Sequence, residues 1–247
     1  MSPSFVDCHS HVVPSSDDGA GSVEEGVALC REAARHGTTI LFATPHVWPH
    51  LVLTETREAE VREAYECMRN DNAGLELRLG WELTPTAALL EEDPHRYVLE
   101  GTDCVLMEVP FTGPADELVA LAERTEGAGL RPVIAHPERT EAVLDRPELA
   151  DELAARGWTL QVNATSLLGR HGDEPAELGW DFLERGIATI VASDGHRPTR
   201  PPHLDEAHAL AVRRLGDERA LPLFDGSALG LATPSRTAAR AASTQPS

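Results

Sequence analysis

The stretch Asp7-Cys-His9-Ser-His11-Val-Val-Pro14-Ser-Ser-Asp17-Asp18-Gly19 follows at once on a short apolar run, Phe5-Val6. In an extended strand, residues two apart share a face, so His9 and His11 present their imidazoles side by side. One strand thus offers two nitrogens to a single metal ion. Two carboxylates, Asp17 and Asp18, follow on a loop shaped by Pro14 and Gly19. A lone His-x-His reads as ordinary loop polarity. Imidazoles and carboxylates packed this densely read as a metal site.

The same event recurs along the chain. Strands are expected at Phe5–Cys8, Thr38–Ala43, Leu75–Leu79, Cys104–Met107, Pro132–Ala135, Trp158–Val162 and Ala188–Val191, from their apolar runs. Helices are expected between them: from a capping box at Ser22-Val-Glu-Glu25 to a stop at Gly37, then about Thr54–Asn72, Ala115–Ala128, Pro147–Arg156 and Glu174–Arg185. A short helix is expected near Ala87–Glu92, and His203–Leu215 reads as the last clear one. Alternating strands and helices imply a parallel sheet, most economically a closed α/β barrel. His9/His11, His46, Glu82, Glu108, His136 and Asp194/His196 each stand at or just past the end of a different apolar run. In a parallel barrel those ends meet at one rim, where active sites are assembled. Residues scattered without function have no reason to keep that phase.

Composition narrows the function. The chain has 247 residues, long enough for one such barrel, with 41 acidic against 21 basic residues and a formal charge of -20. That surface repels phosphate backbones, so nucleic acid is not an expected partner, and an anionic substrate must be held by local positive charge. No apolar stretch reaches the length of a membrane span, and no basic segment followed by an apolar run marks a secretory signal. Cys8, Cys30, Cys67 and Cys104 are widely spaced and are expected as buried reduced thiols in a cytoplasmic protein. A domain over 1–232 is expected, with a disordered tail over 233–247.

The candidate donors are His9, His11, His46, His136 and His196 with Asp17 or Asp18, Glu82, Glu108 and Asp194, and Asp7 as a further carboxylate. They are too many for one four-coordinate ion. A nitrogen-and-oxygen set without thiolate suits zinc, manganese or iron, and several adjacent ions suit phosphoryl hydrolysis. A cysteine-dependent phosphatase needs a low-pKa thiolate with an arginine closing the phosphate loop. The residues six after the cysteines are Pro14, His36, Ala73 and Pro110, none of them an arginine.

Asp7-x-His9-x-His11-x-x-Pro14-x-x-Asp17-Asp18-Gly19, Ala43-Thr-Pro-His46, Gly80-x-Glu82, Ile134-Ala-His-Pro-Glu-Arg139, Gln161-Val-Asn-Ala-Thr-Ser-Leu-Leu-Gly169 and Ala192-Ser-Asp-Gly-His196 together resemble the polymerase-and-histidinol-phosphatase (PHP) superfamily. More narrowly they resemble its bacterial CpsB/CapC/YwqE-type protein-tyrosine phosphatases. The resemblance implies a single-domain distorted (β/α)7 barrel, the PHP fold, with three divalent metal ions: manganese first, iron or zinc as alternatives. It implies one ion on His9, His11, Glu82 and Asp194, a second on Glu82, Glu108 and His136, and a third on Asp18, His46 and His196. Asp7 is expected to orient a ligand. Arg139, Arg200 and His46 are the implied catalytic residues, Arg139 and Arg200 holding phosphate, with Arg197 competing for the place of Arg200. The implied reaction is attack of a metal-bound hydroxide on a phosphotyrosine protein, the C-terminal tail of a bacterial tyrosine kinase of capsule or exopolysaccharide synthesis.

Three rival readings remain at this point: a PHP phosphatase for a small phosphomonoester such as histidinol phosphate, a metal-dependent amidohydrolase, which also opens on His-x-His, and a non-catalytic metal-stapled protein binding a kinase tail. The family often has a second histidine after Ala-Thr-Pro-His; Val47 stands there instead. The apolar loop Val47–Leu53 is expected to pack inward rather than wall the site. His36 is expected to serve the dipole of its helix, and His95, His171, His203 and His208 to be ordinary surface or supporting groups.

Overall fold

The computed structural model of the protein describes residues 4–71 and 73–231; the tail expected over 233–247 lies outside the described residues. In chain order the strands are β1 Phe5–Asp7, β2 Thr38–Ala43, β3 His46–Val47, β4 Glu76–Leu79, β5 Glu82–Leu83, β6 Cys104–Glu108, β7 Arg131–Ala135, β8 Thr159–Asn163 and β9 Ala188–Ala192. The helices are α1 Val23–Arg35, α2 Glu55–Asn70, α3 Asp116–Gly127, α4 Glu141–Asp145, α5 Glu148–Ala155, α6 Ala164–Leu167, α7 Asp173–Arg185, α8 Asp205–Leu215 and α9 Asp217–Ala220. The Ala87–Glu91 segment is a 3-10 helix.

All the ladders are parallel, in the orders β1-β2-β4 and β3-β5-β6-β7-β8-β9. The expected wall of seven strands is therefore interrupted at two places. β2 and β3 flank Thr44-Pro45, and β4 and β5 flank Gly80-Trp81. Pro45 has no amide to give a ladder, yet its carbonyl accepts from Glu82 N at 3.2 Å, and Ala43 O accepts from Gly80 N at 2.8 Å. Hydrogen bonding thus crosses both breaks. The two ends of the wall meet just beyond β1 and β9, at a parallel bridge between Ser10 and Gly195, where His11 N donates to Gly195 O at 2.7 Å.

Alternation sorts the strand side chains. Val6, Ile40, Phe42, Cys104, Leu106, Val133, Ala135, Ile190 and Ala192 form an inner cluster, reached by Leu99 and Leu229. The opposite faces pack on the helices in a larger cluster with Leu41, Val105, Ile134, Leu160 and Val191. α1 forms as its capping box predicts, with Ser22 Oγ accepting from Glu25 N at 3.2 Å. It lies directly on the opening motif: a Cβ at Gly26 would stand 2.2 Å from Val12 O. Only glycine lets helix and loop approach so closely.

One expectation is corrected. Cys67 is exposed on α2, while Cys8, Cys30 and Cys104 are buried as free thiols. α8 is the last helix long enough to carry a period; the four-residue α9 follows it across Gly216. Among the described residues no helix is long and apolar enough to cross a membrane.

Candidate metal centre

Six strand ends deliver donors to one place. His9 and His11 leave β1, His46 stands on β3, Glu82 on β5, Glu108 ends β6, His136 follows β7, and Asp194 and His196 follow β9. His9, His11, His46, Glu82, Glu108, His136, Asp194 and His196 are all buried, against the ordinary preference of charged and polar groups for water.

Glu82 is the hub. Its Oε2 lies 3.1 Å from His9 Nε2, 3.2 Å from His11 Nε2 and 3.0 Å from His46 Nδ1, and its Oε1 lies 3.0 Å from His136 Nε2. Asp194 Oδ1 lies 3.5 Å from both His9 Nε2 and His11 Nε2. Asp18 Oδ1 lies 3.2 Å from His196 Nε2 and 3.6 Å from His46 Nε2. The donor atoms fall into three close groups here: His9, His11 and Glu82; Glu82, Glu108 and His136; and His11, Asp18, His46 and His196. His11 stands in two of these groups, a sharing that spacing along the chain does not reveal.

The donor set fits cations. Donors about 2.0–2.2 Å from one ion sit roughly 3.0–3.5 Å from each other, as these do. Among the described residues, Glu82 Oε2, Glu108 Oε2, His46 Nδ1 and His11 Nδ1 are buried with no hydrogen-bond partner. Such atoms are costly unless a cation takes their lone pairs. Burial and the adjacent Glu82 charge push Glu108 up to about 8, the mark of carboxylates crowded together without countercharge. Burial pushes His136 down to about 4, which keeps it in the neutral, ligating form.

The surrounding groups aim these donors. His9 Nδ1 donates to Gln161 Oε1 at 3.0 Å, Gln161 Nε2 donates to Asn163 Oδ1 at 2.8 Å, and Asn163 Nδ2 donates to Asp194 Oδ2 at 2.8 Å. That chain leaves His9 Nε2 free to ligate. Gln161 and Asn163 are two apart on β8, a polar pair at a strand end like the others; their period was the signal for them. Asp7 Oδ1 accepts from Ser193 N at 3.0 Å and ties the β1 and β9 ends together. His136 and Asp194 have φ of 35° and 52°. For residues other than glycine that costs on the order of 1–3 kcal/mol each, strain the fold carries to turn both side chains inward.

The adjacent aspartates divide their labour. Asp17 Oδ1 accepts from Gly19 N at 3.0 Å and its Oδ2 from His46 N at 3.1 Å, so it builds the loop. Asp18 faces His46 and His196. The arginines divide likewise. Arg197 is exposed and donates to Asp18 O at 3.0 Å, whereas Arg200 Nη2 reaches Asp194 Oδ1 at 2.9 Å and Arg139 Nη1 reaches Asp194 Oδ2 at 2.8 Å. Glu138 does not pair with Arg139; it is buried, accepting from Asn163 N and Ser166 Oγ.

A cavity of about 490 Å³ opens over the cluster, and Arg139, Arg200, Trp48, His50 and Phe111 line it. Phe111 stacks on His136 at 5.4 Å and lies under the Arg139 guanidinium at 5.1 Å. Trp48 stacks on His46 at 4.1 Å. The expected inward packing of the Val47–Leu53 loop is therefore half right: Val47 and Leu53 are buried, while Trp48 and His50 wall the cavity. Arg57 holds that loop, donating to His46 O at 2.8 Å and Leu51 O at 2.9 Å.

A family profile described as "Capsular polysaccharide synthesis, CpsB/CapC" matches residues 5–229. The tyrosine-protein phosphatase YwqE of Bacillus subtilis is 29% identical over 91% of each chain. The putative tyrosine-protein phosphatase CapC of Staphylococcus aureus is 29% identical over 89% of this chain and 85% of its own. A solved structure described among those of YwqE from Bacillus subtilis and CpsB from Streptococcus pneumoniae, "unique metal-dependent tyrosine phosphatases", superposes with a TM-score of 0.80 at 29% identity, over 89% of this chain and 91% of the other. A dihydroorotase-like domain from Chaetomium thermophilum, described as inactive, shares the fold at a TM-score of 0.61 and 11% identity, over 93% of this chain and 80% of the other.

Proposed function

The chain belongs to the CpsB/CapC family, and on that premise we propose that it is a metal-dependent phosphatase hydrolysing phosphotyrosine on proteins. The observation that carries the reading is the pairing of a buried imidazole–carboxylate cluster with two arginines, Arg139 and Arg200, at the floor of a cavity walled by Trp48 and Phe111.

Three divalent ions are the proposed complement, manganese first: one on His9, His11, Glu82 and Asp194, one on Glu82, Glu108 and His136, and one on Asp18, His46 and His196. When bound, such ions supply a water acidic enough to attack near neutral pH and positive charge opposite the phosphoryl oxygens.

The chain's own groups do the rest. Arg139 and Arg200 bind the equatorial oxygens, Arg139 with a planar fork suited to two of them. The cation at Arg139 is braced by Phe111 beneath it. The exposed parts of Trp48 and Phe111 offer apolar surface to a phenyl ring, which a small alkyl phosphate cannot use. A tyrosine phenolate leaves with a conjugate pKa of about 10, so it needs little proton delivery. His46 faces Asp18 through Nε2 and Glu82 through Nδ1, so it serves the cations as a donor rather than the leaving group as an acid. The proposed physiological substrate is a phosphotyrosine-bearing tail of a bacterial tyrosine kinase of capsule synthesis, met in the cytoplasm. With a formal charge of -20 on the protein, recognition of that anionic tail is local to the arginines and ions.

The test is turnover by manganese-reconstituted protein on a phosphotyrosine peptide, a phosphoserine peptide and histidinol phosphate. The phosphotyrosine peptide is expected to give the highest kcat/KM. A preference for histidinol phosphate overturns the protein-substrate reading, and no turnover of any of the three overturns the enzyme reading.

A further inference from the structure

At the other end of the strands a second group of donors meets. Glu32 and His36 stand one turn apart at the C-terminus of α1, on the same helix face. His36 caps that helix, and Gly37, at φ 93°, turns the chain into the start of β2. The group is therefore at the N-terminal end of the parallel strands, away from the rim that carries Glu82. His203, just ahead of α8, stacks its ring on His36 with centroids 3.7 Å apart and planes at 18°.

The details are those of ligands. His36 Nε2 and His203 Nε2 each lie 3.4 Å from the same atom, Glu32 Oε1. Ligands about 2.0–2.1 Å from a tetrahedral zinc ion stand roughly 3.3–3.5 Å apart, so both Glu32–imidazole separations match edges of such a tetrahedron. His36 Nδ1 donates to Asp205 Oδ2 at 2.8 Å, which fixes its tautomer and turns Nε2 toward Glu32. A carboxylate behind a ligating imidazole is the recurring support of zinc-bound histidine. Arg35 engages the other oxygen of Glu32, leaving Oε1 for the histidines. His203 Nε2 is buried and, among the described residues, has no hydrogen-bond partner.

Ion pairing alone accounts for this poorly. For both contacts to be ion pairs both rings must be protonated, and two stacked cations repel at this separation. Two imidazole nitrogens converging on one carboxylate oxygen are an arrangement that a divalent cation organises.

We infer that Glu32, His36 and His203, with Asp205 supporting His36, form a peripheral site for a single divalent cation of borderline softness such as zinc, joining α1 to the start of α8. With three protein ligands and half-exposed side chains, the fourth position belongs to water. The site clamps the far end of the segment that carries Asp194, His196 and Arg200. It is independent of the reaction proposed above.

The experiment uses the full chain with its catalytic centre loaded with manganese, exposed to zinc at buffered free concentrations and then analysed for bound metal. The wild type is expected to take up one zinc ion per chain more than the His36→Gln/His203→Gln double variant. The double variant is expected to keep the wild-type rate on p-nitrophenyl phosphate, which also reports that it is folded. Asp205→Asn is expected to bind the same number of zinc ions about 10–100-fold more weakly. Should the double variant misfold, Glu32→Gln at its half-exposed position carries the same comparison. Equal zinc counts in the wild type and a folded variant overturn the site, as does an unchanged zinc affinity in Asp205→Asn.

Discussion

Arg139 donates from Nη1 to Asp194 Oδ2 at 2.8 Å, although the two residues are 55 positions apart and leave different strands. Asp194 is thus the seat of a phosphate-binding arginine as well as a member of the donor cluster. A phosphoryl group arriving at the cavity takes over part of this pairing, and the cost of leaving Asp194 is met by two charge-assisted bonds to phosphate. Arg139→Ala is expected to lower kcat/KM on phosphotyrosine peptide by about 10²–10³-fold, the usual loss for one donor to a developing charge. Arg139→Lys is expected to fall between, because it keeps the charge but not the fork. Bound metal, measured by elemental analysis, stays at the wild-type level in both. A matching loss of metal in Arg139→Ala makes the residue structural instead.

The walls of the cavity predict selectivity. Phe111 is 45% exposed, so little of the core depends on it, yet it stacks on His136 and under Arg139. An aromatic partner for a substrate ring contributes about 0.5–1.5 kcal/mol beyond its area. Phe111→Ala and Trp48→Ala are each expected to raise KM for aryl phosphates about 3–10-fold. KM for a small alkyl phosphate is expected to change less. Parallel steady-state measurements on the two substrates decide it; an equal rise for both removes the slot.

Much of this centre is legible in the chain because donor residues keep one phase with the ends of apolar runs. Glu108 needs only the alternation Cys104, Leu106, Glu108 to be placed on the inner face at the rim. The two-residue strands His46–Val47 and Glu82–Leu83 are not legible, since two residues have no period, and Pro45 and Gly80 read as ends rather than interruptions. Asp17 and Asp18 look alike as neighbours. Only the fold shows that Asp17 receives two backbone amides beside His11, while Asp18 faces His46 and His196. Trp48 carries no sign of its direction, and the stacking of His36 on His203 joins residues that no local pattern relates.

His208 predicts part of the acid sensitivity of the fold. Its ring is wedged between Phe5 at 5.1 Å and Phe224 at 5.2 Å, and burial holds its pKa below the ordinary value. A histidine depressed in the folded state binds its proton more readily when unfolded. The stability it permits is therefore present above about pH 6.5 and is lost as pH falls through the window beneath. His208→Leu removes that proton uptake. Its melting temperature is expected to fall less than that of the wild type between pH 7 and pH 5, whatever the absolute values. Identical slopes for the two proteins clear His208 of any role.

Removing metal tests the centre without touching the sequence. Folding gathers His9, His11, His46, His136 and His196 with Glu82, Glu108 and Asp194 into a space largely closed to water, with Asp18 at its exposed edge. Groups so arranged repel or stay unpaired unless cations lie among them, so binding is linked to folding. At a free metal concentration of 100 times Kd, one site adds about 2.7 kcal/mol. Chelation is therefore expected to lower the melting temperature by several degrees and abolish turnover, and manganese to restore both. His136→Ala is expected to lose most activity together with bound metal, because its Nε2 lies 3.0 Å from Glu82 and its neutral form is a ligand. Arg139→Ala, measured beside it, loses activity alone. A His136→Ala protein with full metal content and wild-type turnover takes His136 out of the centre.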